Sequence, residues 1–229
     1  MATRVAVCAV IAAGLASCDG APATSQYPHA SSAGGASPEP TADMVAHTFS
    51  LPPFPSFQAS APRTWNAVDG WVLNRDPCAD AGCTEEDTMM AVMWWRVTEV
   101  YAEPCNWQGS TFDPGQTVTD LATALSAVPT RNASEPVPTS VDGAQGLYLE
   151  WSVPSDADFA VCDDGIFESW TGDVGGTDRY QQAPGQVDRI WIVDVDGERL
   201  VINAFFLPAT PEADRREIDA VINSIEFER

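Results

Sequence analysis

The sequence predicts an α+β domain, an antiparallel β-sheet covered by helices, and three observations carry the prediction. Residues 187–207 form two apolar runs around Asp196-Gly197, a dipeptide suited to the positive φ angles of a two-residue hairpin turn. Both runs are apolar on both faces, which puts this central hairpin inside a sheet that is covered on either side. Two stretches near 118–127 and 211–223 carry apolar residues at helical spacing and would provide that cover.

In chain order, Arg4 gives a short positive start, Val5 to Ala16 an uncharged apolar run, and Leu15-Ala16-Ser17-Cys18 the pattern of a bacterial lipobox. The run fits a signal-peptide core and is too short to span a bilayer. Cleavage after residue 17 would free Cys18 to carry a diacylglycerol and leave the exported chain lipid-anchored on the extracytoplasmic face of a cell membrane. The alternative is an ordinary secretory signal cleaved near Ala16 or Ala21, which makes Cys18 incidental. Residues 18–58 are rich in Ala, Ser, Gly, Pro and Thr and read as a flexible tether, with too little apolar surface to offset the entropy of ordering. Within it, Pro53, Phe54, Pro55 and Phe57 either extend a polyproline-like spacer or dock an aromatic onto the domain.

Residues 59–229 read as one globular domain, about 170 residues, enough for a sizeable core. Ala67 to Asn74 and Met89 to Tyr101 read as strands, the second long enough to carry a bulge. Val118, Leu121, Ala122 and Leu125 share one helical face, with Thr117 and Asp120 as its cap and Pro129 as its stop. The run from Val137 reads as a strand ending at Pro154. Residues 155–170 read as a loop leading into a short strand, and residues 171–186 as a long polar loop. In the central hairpin Val193 would face Leu200, Trp191 would face Ile202, and Asp194 would pair with Arg199. The final helix takes Thr210 as cap and Pro211 as first residue, buries Ile218, Val221 and Ile222, and gives way to a strand over 225–228.

The net charge is -22 and the chain contains no lysine. A surface this acidic repels phosphate backbones, so nucleic acid is excluded as a partner and cationic or basic ones are favoured. With Cys8 lost in the signal and Cys18 lipidated, Cys78, Cys83, Cys105 and Cys162 remain, an even number for an oxidising compartment. Of three possible pairings the expected one is Cys78–Cys83, closing a small loop, with Cys105–Cys162 tying distant segments; a zinc site would lack histidine ligands nearby.

An antiparallel hairpin, a helix and a terminal Ser-Ile-x-Phe strand, behind a lipobox, resemble the actinobacterial lipoproteins of the PsbP-like class, the LpqN type among them. The PC-W, TV-DLA-AL and PGQ-D-IWI-DVDG segments are similar to those of a group of actinobacterial envelope lipoproteins over most of residues 65–229. The resemblance implies a PsbP-like sandwich and a role at the cell envelope, and it transfers no catalytic residue.

The chemistry is bounded by what is missing. His29 and His47 both fall in the tether, so a folded Ser-His-Asp or Cys-His arrangement is not expected, and lysine chemistry is excluded. No phosphate-binding loop, dinucleotide fingerprint or zinc-protease helix occurs, and no cofactor or metal is expected. Asp156 and Asp158, Asp163 and Asp164, and Asp194, Asp196 and Glu198 leave a carboxylate-dependent hydrolase as the less favoured reading. Asp194, Asp196 and Glu198 match the start of a calcium loop, but strand-like flanks favour a hairpin turn; Glu85, Glu86 and Asp87 read as a solvated loop. Among Trp65, Trp71, Trp94, Trp95, Trp107, Trp151, Trp170 and Trp191, the pair Trp107 and Trp170 lie in polar surroundings near Cys105 and Cys162; if those two cysteines bond, the pair would border a ligand cleft there, the alternative being that both cap the core beside the disulfide. The expectation is a monomeric, non-enzymatic envelope lipoprotein whose domain binds an envelope protein. The alternative is a carrier or sensor of a small lipid or cell-wall sugar.

Overall fold

The computed structural model describes residues 43–75 and 89–229. Among them the main sheet runs in the order β11 (Asp178–Tyr180), β10 (Glu168–Val174), β5 (Met90–Tyr101), β13 (Glu198–Phe206), β12 (Val187–Val195), β9 (Ala144–Ser152) and β7 (Asn132–Ala133). Four further strands join it: β4 (Val72–Arg75) on β5 with β3 (Trp65–Val68) on β4, β6 (Thr111–Phe112) on β5, and β8 (Val137–Val141) on β9. A second sheet consists of β1 (Met44–Phe49), β2 (Phe57–Pro62) and β14 (Glu226–Phe227).

The β12–β13 hairpin is central, with Val193 opposite Leu200, Trp191 opposite Ile202 and Asp194 opposite Arg199. Alternation along the strands sends side chains to two cores. Met90, Val92, Trp94, Trp191 and Val193 join one core, which includes Ile218, Val221 and Ile222 of α2 (Glu212–Asn223) and Phe49 and Phe57 of the small sheet. Ala91, Met93, Trp95, Ile190 and Ile192 join the other, against Leu121, Ala122 and Leu125 of α1 (Val118–Ser126). Thus one face is covered by α1 and the other by α2 with the small sheet. The capping box of Thr117 and Asp120 is formed as expected.

Several boundaries differ from the sequence expectations. The folded domain begins before residue 59. β1 pairs with β2, and Phe49, Leu51, Phe54 and Phe57 are buried, Phe49 packing 4.4 Å from the Trp94 ring. Those apolar side chains supply the burial that the tether composition lacks, and His47 lies in β1 within the domain. Ala67 to Asn74 is not one strand but part of the β3–β4 hairpin, and Val137 to Pro154 contains the β8–β9 hairpin. Both turn at Asp-Gly pairs with positive φ, Asp69-Gly70 and Asp142-Gly143. The expected polar loop over 171–186 instead completes β10 and returns as β11. Helix α2 starts at Glu212 with Pro211 as its cap, because Pro211 is extended (ψ 146°), not helical. The Thr210 carbonyl accepts from Arg215 Nε at 2.9 Å.

Close approach of β9 to β12 requires glycine at position 146. A Cβ there would stand 2.0 Å from the Ile192 carbonyl oxygen, a clash with backbone that cannot be relieved by a side-chain rotation. Gly146→Ala is expected to destabilise the fold by about 3 kcal/mol, read as a lowered urea midpoint with an unchanged slope. An unchanged midpoint would show that β9 can shift without cost.

Candidate functional site

The Cys105–Cys162 bond is formed, with Cα atoms 4.5 Å apart. Around it, Asp163 N donates to the Cys105 carbonyl at 2.8 Å and Trp107 Nε1 to the Asp163 carbonyl at 2.9 Å. Gln108 N donates to Asp163 Oδ2 at 3.1 Å. Cys18, Cys78, Cys83, His29 and the acidic loop Glu85-Glu86-Asp87 lie outside the described residues.

The structure does not build the expected Trp107 and Trp170 cleft. Trp170 is fully buried, packed 6.1 Å from Trp95 and 5.9 Å from Trp151 between ring centroids. Its place on β10 turns it into the core, whereas half-buried Trp107 lies against Tyr101 with its N–H occupied by a carbonyl. Several clustered acids serve local geometry. Asp158 accepts from Ala160 N at 3.0 Å, Asp194 from Gly197 N at 2.8 Å, and Asp164 and Asp196 occupy positive-φ turn positions. Among the described residues no group of three or more His, Cys, Asp or Glu is arranged to hold a metal ion.

Among the described residues, a concave surface surrounds the tip of the β12–β13 hairpin. One groove of about 440 Å³ lies among Arg96, Thr98, Asp113, Asp173 and Glu198. A second, about 490 Å³, lies across Arg199 along Thr117, Thr119, Gln145 and Asp194. A third, about 350 Å³, continues from Gln145 and Asp194 to Asp196, Phe227 and Arg229. Shared residues make the three contiguous: Gln116, Gly197 and Arg199 join the first two, and Gln145 and Asp194 the last two.

Its cations are already engaged. Arg96 forms a two-pronged bond to Asp173, 2.7 Å and 2.5 Å, which raises the guanidinium pKa and lowers that of Asp173. Arg199 lies opposite Asp194 in register, yet its side chain reaches the Gly115, Thr117 and Val97 carbonyls at 2.6, 3.1 and 2.9 Å. It thereby pins the 113–117 loop and the start of α1 to the sheet, and burial lowers its pKa. Arg229 is held by Asp142. The remaining carboxylates around the tip offer acceptors to a donor-rich, cationic surface. Sequence reasoning missed Arg96, Asp113, Gln116 and Asp173 because they come from segments far apart in the chain; only the hairpin itself was signalled.

No protein-family model and no curated protein matches the chain. Among solved structures it is similar to LpqN, involved in cell envelope biogenesis of Mycobacterium tuberculosis, at 10% identity and a TM-score of 0.42, over 81% of this chain and 92% of that one. It is also similar to the cyanobacterial PsbP (CyanoP) of Synechocystis sp. PCC 6803, at 12% identity and a TM-score of 0.34, over 80% and 92% of the two chains. At these values neither likeness transfers a function.

Proposed function

We propose that the chain is an exported, lipid-anchored envelope protein whose domain is a non-enzymatic binding module for a basic surface of an envelope protein. The observation that carries this reading is the bonded Cys105–Cys162 pair, consistent with an oxidising compartment, in a chain whose Leu15 to Cys18 stretch has the pattern of a lipobox. The binding face is the contiguous surface around the β12–β13 tip. Its polar, carboxylate-rich lining suits charge-guided docking of a protein better than enclosure of an apolar molecule.

Cys18→Ser is expected to move the protein from the membrane fraction to the soluble or secreted fraction in its host. Continued membrane association would remove the lipid anchor. The binding face is tested separately by photo-crosslinking in cells from Glu198 and Gln145, compared with Gln58 on the small sheet. A reproducible protein adduct from the tip positions alone is expected; equal capture from all three would remove the tip as the docking face.

A further inference from the structure

Away from the tip, the opposite end of the sheet holds a buried polar network. Arg131 is 6% exposed, its guanidinium between the rings of Trp151 and Phe167 at 4.6 and 4.7 Å. Its Nη2 donates to the Glu168 carbonyl at 3.1 Å and to Ser169 Oγ at 2.5 Å. Gln181 Nε2 also donates to Ser169 Oγ, at 2.6 Å. Glu168 is 5% exposed, and its Oε2 has no hydrogen-bond partner. The backbone here ties three segments together: Glu168 N donates to the Pro104 carbonyl at 2.9 Å, next to the disulfide, and Gln181 N of the returning chain donates to the carbonyl of the preceding residue, Phe167, at 2.8 Å.

We propose that Glu168 is a proton-operated latch: the β10–β11 edge hairpin closes over its neutral carboxyl, and ionisation, which leaves a charge buried with its Oε2 unpartnered, loosens that hairpin. The charged groups acting on it come from each packed element. Asp178 on β11 opposes ionisation; Arg179 on β11 and Arg131 before β7 favour it. Tyr101 on β5 donates to Asp178 Oδ1 at 3.3 Å, and Asp188 on β12 faces the arginines. Burial is the largest influence and Asp178 the next, and together they push the Glu168 carboxyl up to about 7. In the opened hairpin the carboxyl returns toward its ordinary range. Between that range and about pH 7 the closed form therefore holds the extra proton, and closure weakens as pH rises through this window.

The test is hydrogen exchange on the full chain at pH 6 and pH 8, corrected for intrinsic rates. The opening equilibrium at the Gln181 and Gly172 amides is expected to rise about tenfold between these pH values, while amides of β12 and β13 stay level. Glu168→Gln is expected to abolish the rise. Asp178→Asn, which removes the repelling charge, is expected to shrink it, and it decides the matter if the first variant does not fold. The latch is overturned if neither variant alters the rise, or if the central strands show the same rise and the effect is global.

Discussion

Cys105→Ala with Cys162→Ala is expected to lose about 4 kcal/mol of stability. The bond spans a sequence separation of 57, and closing a loop of that length removes about 4 kcal/mol of entropy from the unfolded chain on the chain-entropy account. The native contacts around the bond would largely persist, because Asp163 still meets the backbone of residues 105 and 108 and the Trp107 N–H. Phe159 still stacks on Phe167 at 5.3 Å. The loss therefore falls mainly on the unfolded state. Urea unfolding reads it as a midpoint lowered by roughly 2 M, taking a slope of about 2 kcal/mol/M, with native tryptophan emission retained before the transition. A loss below about 1 kcal/mol would mean that the unfolded chain is already restrained in this region. Early red-shifted emission would mean that the bond holds native structure which its neighbours cannot hold alone.

How much of this was legible in the sequence depended on whether the signal was local. The register of the central hairpin is legible because Asp196-Gly197 sits between two long apolar runs, and both helices because their apolar spacing lies within a few turns, although only the cap of α1 is the expected one. The same Asp-Gly turn at 69–70 and 142–143 is masked in the sequence, since its flanks are short and read as one continuous strand. β1 was hidden by its composition: it is a half-exposed edge strand, and only contact with Phe57 and Trp94 gives Phe49 its value. The β10–β11 hairpin looks like a loop in the sequence because Thr171 to Tyr180 is polar and glycine-rich. Its Gly175 is required where a Cβ would stand 2.3 Å from the Trp94 carbonyl oxygen, a constraint set by a strand far away in the sequence. The tip grooves and the buried network fail for the same reason. Arg96 with Asp173, and Arg131 with Glu168 and Ser169, are partners only after the sheet order is known.

Asp188→Ala is expected to cost about 3–5 kcal/mol, because it strands a charge. Asp188 is fully buried on the central strand β12, and its Oδ1 accepts from Arg179 Nη2 at 2.7 Å and Asn203 Nδ2 at 3.2 Å. Gln186 Nε2 reaches Oδ2 at 3.1 Å. Arg179, 3% exposed, also donates through Nε to Asn203 Oδ1 at 2.8 Å and lies over the Phe205 ring. Removing the carboxylate takes from that dehydrated guanidinium the counter-charge it is bonded to. Asp188→Asn keeps an acceptor and should cost less, about half as much on the usual difference between charged and neutral hydrogen bonds. The double variant Asp188→Leu with Arg179→Met removes both charges and keeps apolar volume, so it should recover most of the loss, to within about 1–2 kcal/mol of the parent. Chemical unfolding of the parent, the single variants Asp188→Leu and Arg179→Met, and the double variant gives the coupling directly. Recovery would show that the pair's attraction only balances its desolvation, leaving register of the edge hairpin as what the pair secures. Failure to recover would show that the arginine's bonds to Asn203 Oδ1 and, through Nη1, to the Tyr180 carbonyl of β11 stabilise the sheet in their own right.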